Sequence, residues 1–189
     1  ECYTKAKITD LEVTKIFQSQ WICVGRSDQL TEAGDYTCID FADLSIILIR
    51  GNDLKLRAFA NTCRHRGARL LNGSGKTSGI RCPFHSWAYK LDGSLAGAPH
   101  MEAALDFCKS DFNLIGYQVS ECLGFLFVRL TQDGPDLATT LGDFPALHAP
   151  WPIETLESKR VRSFEVACNW KTFIEVFNEY YHLPFVHPA

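Results

Sequence analysis

Two short Cys/His pairs, Cys63-x-His65 and Cys82-x-x-His85, sixteen residues apart, constrain this chain more than any other feature of its 189 residues. Each pair offers one thiolate and one imidazole. A metal held between them would fix the two segments side by side as neighbouring loops. Two chemistries use such donors. One is a tetrahedral Cys2His2 zinc site. The other is a two-iron, two-sulfur cluster in which two imidazoles replace two thiolates on one iron, which removes negative charge and makes reduction easier. The surroundings favour the cluster. Residues 54–91 hold eight Lys and Arg and no Asp or Glu, although the whole chain has 19 basic and 22 acidic residues. Arg66-Gly67 follows the first pair, and Pro83 sits inside the second. The basic stretch lacks the interleaved aromatic platforms of single-strand binding, so no nucleic-acid partner is expected.

The pattern around the pairs is that of a β module, with short apolar runs and turn residues from Trp21 to about Leu130. Residues 45–50 and 54–60 flank Gly51-Asn52-Asp53 and read as a hairpin. A second hairpin, 87–91 with 94–95, turns through Asp92-Gly93, where the glycine supplies a positive φ. Residues 123–130 read as one long strand, 131–158 as a connector, and 10–18 as a short helix capped by Thr9 or Asp10. The longest apolar run, 44–49, is far shorter than the roughly 18 residues of a membrane span, and no secretory signal precedes it. Neither membrane nor export is expected, which points to the cytoplasm. Cys2, Cys23, Cys38, Cys108, Cys122 and Cys168 show no paired spacing and read as buried thiols of a reducing compartment. His100 and His148 read as solvated loop residues. Met101 is the only methionine and Glu1 comes first, so the chain reads as a portion of a longer polypeptide.

Residues 168–182 switch to helical period, with Trp170, Phe173, Ile174, Phe177 and Tyr181 on one stripe and Pro184 ending it. Glu179 precedes His182 by one turn on the same face. His187 follows just past the break, beside Pro188. Two imidazoles converging in this way are what the 2-His-1-carboxylate site of non-haem iron oxygenases requires. By themselves they also fit histidines placed near a helix C-terminus for its dipole.

The run Cys63-Arg64-His65-Arg66-Gly67-Ala68, Cys82-Pro83-Phe84-His85-Ser86-Trp87 and Leu91-Asp92-Gly93-Ser94-Leu95 closely resembles the Rieske domain of ring-hydroxylating oxygenase α subunits. High-potential Rieske proteins carry an extra disulfide between the loops. Its cysteines would fall near Ala68 and at Phe84, and both are absent. Ser86 stands where the family usually has Gly. Downstream, Asn169-Trp170-Lys171, Glu179-x-Tyr181-His182 and His187-Pro188 resemble the opening of the same family's catalytic domain. The family usually has Asp where this chain has Glu179, and Glu is similar to what the oxygenases of quaternary ammonium compounds carry.

The resemblance implies an all-β Rieske domain, an antiparallel β-sandwich over residues 38–150. An N-terminal segment, 1–37, would pack with the catalytic domain, and 151–189 would be the start of that α+β domain. It implies a [2Fe–2S] cluster on Cys63, His65, Cys82 and His85, and a mononuclear Fe(II) on His182 and His187 with its third ligand beyond residue 189. Glu179 would link the two centres. The implied role is the terminal oxygenase component, a mono- or dioxygenase that uses O2 to hydroxylate or dealkylate a small organic substrate, aromatic or quaternary ammonium. Implied partners are a ferredoxin or a flavin/iron–sulfur reductase as donor, in a homotrimer with or without a β subunit. A Rieske ferredoxin is the main rival, but it has no use for a second His pair. A structural zinc module is the other.

Overall fold

The computed structural model describes residues 2–41, 43–101 and 103–187. Seven strands form one antiparallel sheet in the order β1-β10-β9-β4-β3-β2-β5, and three form a small sheet, β6-β7-β8. The large sheet comprises β1 (Ile22–Arg26), β2 (Asp35–Phe41), β3 (Leu44–Arg50), β4 (Leu56–Ala60), β5 (Ser74–Lys76), β9 (Gly116–Cys122) and β10 (Phe125–Arg129). The small one comprises β6 (Ile80–Arg81), β7 (Ala88–Tyr89) and β8 (Leu95–Gly97).

The core explains this order. Strand β3 is apolar through its centre, and Ile46, Ile47, Leu48 and Ile49 are all 0% exposed, so both of its faces are covered. Ile47 and Ile49 face one cluster with Phe59, Ile80, Trp87 and Tyr89, which also encloses Cys63 and Cys82. Ile46 and Leu48 face a second cluster with Leu30, Ala58, Leu126 and Val128, which shows that the large sheet curls so that β3 and β4 meet β10. Each of these large side chains contributes about 1.5–3 kcal/mol by leaving water. The cluster loops are thus anchored, through Cys63 and Cys82, in the first of these two buried clusters.

Both expected hairpins form, with Ile46 opposite Ala60 in the first and Tyr89 opposite Leu95 in the second. Gly93 is required twice over. Its φ is +86°, and an added Cβ would lie 2.5 Å from the Phe59 ring.

Other expectations need correction. The N-terminal helix α1 starts earlier, at Ala6–Glu12, and runs on as a π-helical turn over Val13–Phe17. Leu123, with φ +50°, belongs to a turn, so β10 begins at Phe125. The connector carries two short helices, α2 (Leu137–Leu141) and α3 (Phe144–His148), the first capped by Asp136 accepting from the Thr139 N–H at 2.8 Å. His148 therefore ends a helix, with Nδ1 2.8 Å from the Phe144 carbonyl. Of the six cysteines read as buried, Cys2, Cys23, Cys108 and Cys168 are exposed and Cys38 and Cys122 half-buried. Cys23 lies on the outward face of an edge strand, where neighbouring apolar residues point the other way.

Helix α4 (Trp170–Phe177) is capped by Asn169, which accepts from the Lys171 N–H at 3.0 Å. The N-terminal segment holds it. Glu12 accepts from Trp170 Nε1 at 2.9 Å and pairs with Lys171 Nζ at 2.5 Å, while Phe17 packs edge-on against Trp170 at 5.2 Å. Among the described residues, no helix is long and apolar enough to cross a membrane.

Candidate metal centres

The two Cys/His loops are built alike. In each, the cysteine N–H donates to the carbonyl five residues on, Cys63 to Ala68 and Cys82 to Trp87, both at 2.8 Å. In each, the N–H four residues on returns to the cysteine carbonyl, from Gly67 at 2.9 Å and from Ser86 at 3.1 Å. That closure needs a left-handed residue at the fourth position, and Gly67 (φ +74°) and Ser86 (φ +59°) supply it. The family's preference for Gly at position 86 thus has a backbone cause, and Ser86 bears the strain of a Cβ there.

Asn61 braces the first loop from beneath. It is 1% exposed, and its amide oxygen accepts from the Leu70 and Leu71 N–H groups at 3.0 and 2.9 Å. Its nitrogen donates to the Leu71 carbonyl at 2.7 Å and to Ser45 Oγ at 3.0 Å.

The four donors pair like with like. Cys63 and Cys82 are each 2% exposed and lie in the same buried cluster, where the Cys63 side chain acts on the Cys82 thiol. His65 and His85 are exposed, with ring centroids 4.7 Å apart. Sulfur beside sulfur and ring beside ring suits a cluster with its two imidazoles on one iron. A single zinc ion needs all four donors around one point. Among the described residues, no three His, Cys, Asp or Glu side chains are arranged to hold one ion.

Electrostatics favour the ligating forms. Burial pushes the Cys82 thiol up, but backbone N–H groups of His85 and Phe84 and the Cys63 side chain outweigh it and leave the thiol below its usual range. Desolvation, then repulsion from His85 and Arg66, lowers His65 and favours its neutral ring. Two residues that the sequence reading missed complete the site. Tyr89 Oη lies 3.4 Å from Cys63 Sγ and accepts the Arg64 N–H at 3.0 Å. Burial and that sulfur hold the phenol well above its usual range, so it stays a donor. Trp87 stacks on His65 at 4.9 Å and 9°. Both lie on the hairpin that follows the second pair, and the alternation of its buried positions was the available signal.

The second constellation differs from expectation. Helix α4 stops at Phe177, with Asn178 as its C-cap, so Glu179 and His182 do not share a helical face. Pro184 starts a helix instead of ending one: α5 (Leu183–Val186) has His182 as N-cap. Proline suits that place because its missing N–H would have no partner in a first turn. Glu179 still meets His182, with Oε1 on Nδ1 and Oε2 accepting the Tyr181 and His182 N–H groups, the former at 2.5 Å and the latter at 3.3 Å. The hydrogen bond with His182 holds the Glu179 carboxyl below its usual range. His187 closes α5, its ring 5.7 Å from that of His182. Pro188 lies outside the described residues.

Comparison with known proteins follows the same division. The Rieske [2Fe-2S] domain family matches residues 20–118, and the ring hydroxylating alpha subunit (catalytic domain) family matches 153–189. The chain belongs to the Rieske ring-hydroxylating oxygenase α subunits. It corresponds to their N-terminal portion. It is 36% identical to the carnitine monooxygenase oxygenase subunit of Acinetobacter baumannii over 99% of this chain and 51% of that protein. It is 34% identical to the glycine betaine monooxygenase oxygenase subunit of Chromohalobacter salexigens over 98% and 42%. A crystal structure of a quaternary ammonium Rieske monooxygenase with L-carnitine superposes with a TM-score of 0.94 at 34% identity, covering 98% of this chain and 53% of that one. Naphthalene 1,2-dioxygenase from Rhodococcus superposes at 0.83 with 28% identity, covering 97% and 44%. The chain spans about half the length of the curated relatives it matches. A Rieske domain carries a [2Fe–2S] cluster, and the α subunits of this family use a mononuclear iron at the catalytic site.

Proposed function

We propose that this chain is the cluster-bearing part of a terminal oxygenase that acts on a small quaternary ammonium compound. When bound, the cluster supplies single electrons and the mononuclear iron supplies O2 activation for hydroxylation or dealkylation. Cys63 and Cys82 hold one cluster iron, and His65 and His85 the other. The pairing of sulfur with sulfur and imidazole with imidazole carries this assignment. Tyr89 donates to the Cys63 sulfur and offsets its negative charge, and Asn61 fixes the ends of the loop that presents Cys63 and His65.

His182 and His187 hold the catalytic iron. Glu179 accepts a hydrogen bond from the His182 Nδ1–H, which leaves Nε2 of that ring free to ligate, as carboxylates behind metal-bound histidines do. Its Oε2 is shared with two backbone N–H groups. Oε1, which accepts only from His182, keeps acceptor capacity for a cluster-ligand imidazole of a neighbouring subunit, so Glu179 is the link between centres. Such a link makes a ring of subunits, a homotrimer, the working form. We divide the chain into the N-terminal segment 1–37, whose β1 and first residues of β2 join the sheet of the cluster domain, the cluster domain 38–150 and the start of the catalytic domain at 151–189. The contacts of Glu12 and Phe17 with α4 support the first assignment. The donor is a ferredoxin or a flavin/iron–sulfur reductase in the cytoplasm.

The substrate class rests on Glu179 together with the carnitine and glycine betaine relatives. The test uses the full-length protein with its cluster reduced beforehand. Cluster reoxidation on adding O2 should accelerate with carnitine or glycine betaine and not with naphthalene. Acceleration by naphthalene alone would assign an aromatic substrate instead.

A further inference from the structure

Beside the cluster loops lies an open pocket of about 610 Å³, between the small sheet and the segment that follows it. Its floor is apolar, from Ala98, Met101 and Phe107, and Arg81 and Lys109 stand at its margin with Ser86, the neighbour of His85. No carboxylate among the described residues lines it, although Asp106 stands next to Phe107 in the chain. Arg81 and Lys109 are exposed, and neither pairs with a carboxylate among the described residues. Three other cations of the basic stretch are neutralised locally, Arg57 by Asp53, Arg69 by Asp40 and Lys76 by Glu32, whereas Lys55, Arg64, Arg66 and Lys90 line no part of this pocket. The pocket is therefore a site of uncompensated positive charge around an apolar floor.

An aromatic path joins that floor to the cluster loops. The Phe107 ring lies 5.7 Å from Trp87, edge to face at 64°. Trp87, 2% exposed, stacks in turn on His65 at 4.9 Å. Electron tunnelling falls steeply with distance through empty or loosely packed space, so contiguous rings favour transfer along this line. The exposed face of His65, His85 and Phe84 is committed elsewhere in the function proposed above, where it delivers electrons to a neighbouring subunit. A donor that reloads the cluster while the ring stays assembled must approach from another side.

We propose that this pocket is the docking site of an acidic electron-donor protein, with Arg81 and Lys109 binding its carboxylates and Phe107 and Trp87 leading to His65. The inference rests on the cluster assignment above. One electron leaves the reduced donor, an iron–sulfur or flavin protein, and enters the [2Fe–2S] cluster. No bond forms or breaks, and neither ring changes its own oxidation state. Charge at the pocket acts on encounter, which is why the effect depends on salt.

The experiment uses the cluster-loaded oxygenase and, as probe, a reduced acidic plant-type [2Fe–2S] ferredoxin, mixed without oxygen while cluster reduction is followed. Arg81→Glu with Lys109→Glu should slow reduction at low ionic strength by about tenfold or more and flatten its salt dependence. Lys7→Glu with Lys55→Glu makes the same change in net charge away from the pocket and should leave the rate near wild type. Phe107→Leu should lower the rate at saturating donor without weakening donor binding. Should the double Glu variant fail to load cluster, Arg81→Gln with Lys109→Gln carries the same test through a weaker salt dependence. Equal slowing by both charge reversals would make net charge the cause and overturn the proposal. Slowing by Arg64→Glu with Arg66→Glu but not by the pocket pair would move the donor to the histidine face and overturn it too. A wild-type protein with no Rieske signal on reduction would instead sink the cluster assignment.

Discussion

Replacing Tyr89 by Phe isolates one interaction of the cluster site. The phenol oxygen is 3.4 Å from Cys63 Sγ, in a residue only 1% exposed, so no solvent is at hand to substitute for it. A hydrogen bond to a charged group is worth about 1.5–3 kcal/mol. Reduction adds negative charge to the cluster and its sulfurs, so the bond strengthens on reduction. If about 1 kcal/mol of that bond appears only in the reduced form, the one-electron scale of roughly 59 mV per 1.4 kcal/mol gives a fall of about 40 mV in Tyr89→Phe. The same change removes the acceptor of the Arg64 N–H, so some stability is lost as well. A potentiometric titration followed by EPR measures the shift, and thermal unfolding measures the stability separately. A potential that stayed constant or rose would refute the role of the O–H donor, whatever happened to stability.

Ser86→Gly relieves a left-handed serine (φ +59°) in the second cluster loop and should stabilise the cluster-loaded protein by up to about 1 kcal/mol, read as a rise in Tm without a change in potential. His65→Cys adds an anionic thiolate and should keep a two-iron cluster at a lower potential, which voltammetry checks. Glu179→Gln keeps shape but removes charge; cluster reduction and iron content should persist in the full-length protein while single-turnover reoxidation of the cluster fails, and reoxidation at the wild-type rate would remove Glu179 from the link. Glu12, held below the usual carboxylate range chiefly by the Lys171 hydrogen bond, contributes stability above its unfolded pKa that disappears as pH falls through the lower folded value. Glu12→Gln should therefore flatten the acid limb of the unfolding midpoint against pH, measured by circular dichroism.

Much of the site was legible because its chemistry is written in short range. Cys63, His65, Cys82 and His85 sit in two tight loops, and the local turns set each cysteine inward and its histidine outward. Hairpin β3–β4 and the Asp92-Gly93 turn were legible for the same reason, since alternation and turn chemistry act over a few residues. What failed depended on context. Helix α4 ends at Phe177 although the apolar stripe continues to Tyr181, because Glu179 captures backbone N–H groups that a continuing helix would need. Pro184 looked like a stop because it breaks helical period, yet it serves as well in a first turn. The cysteines misled because apolar neighbours along a strand point to the opposite face, as at Cys23. Tyr89 and Trp87 could be placed on a hairpin, but their contacts with Cys63 and His65 depend on how that hairpin folds back over the first loop.

In the function proposed, Cys63, His65, Cys82 and His85 hold a two-iron cluster with both imidazoles on one iron. Pulsed EPR of the reduced protein, prepared with ¹⁵N-labelled histidine, tests it most directly. The ligand set described here predicts two strongly coupled histidine nitrogens in the wild type and a single one in His65→Cys and in His85→Cys. A paramagnetic cluster with no histidine coupling, or a colourless protein loaded with zinc, would contradict it.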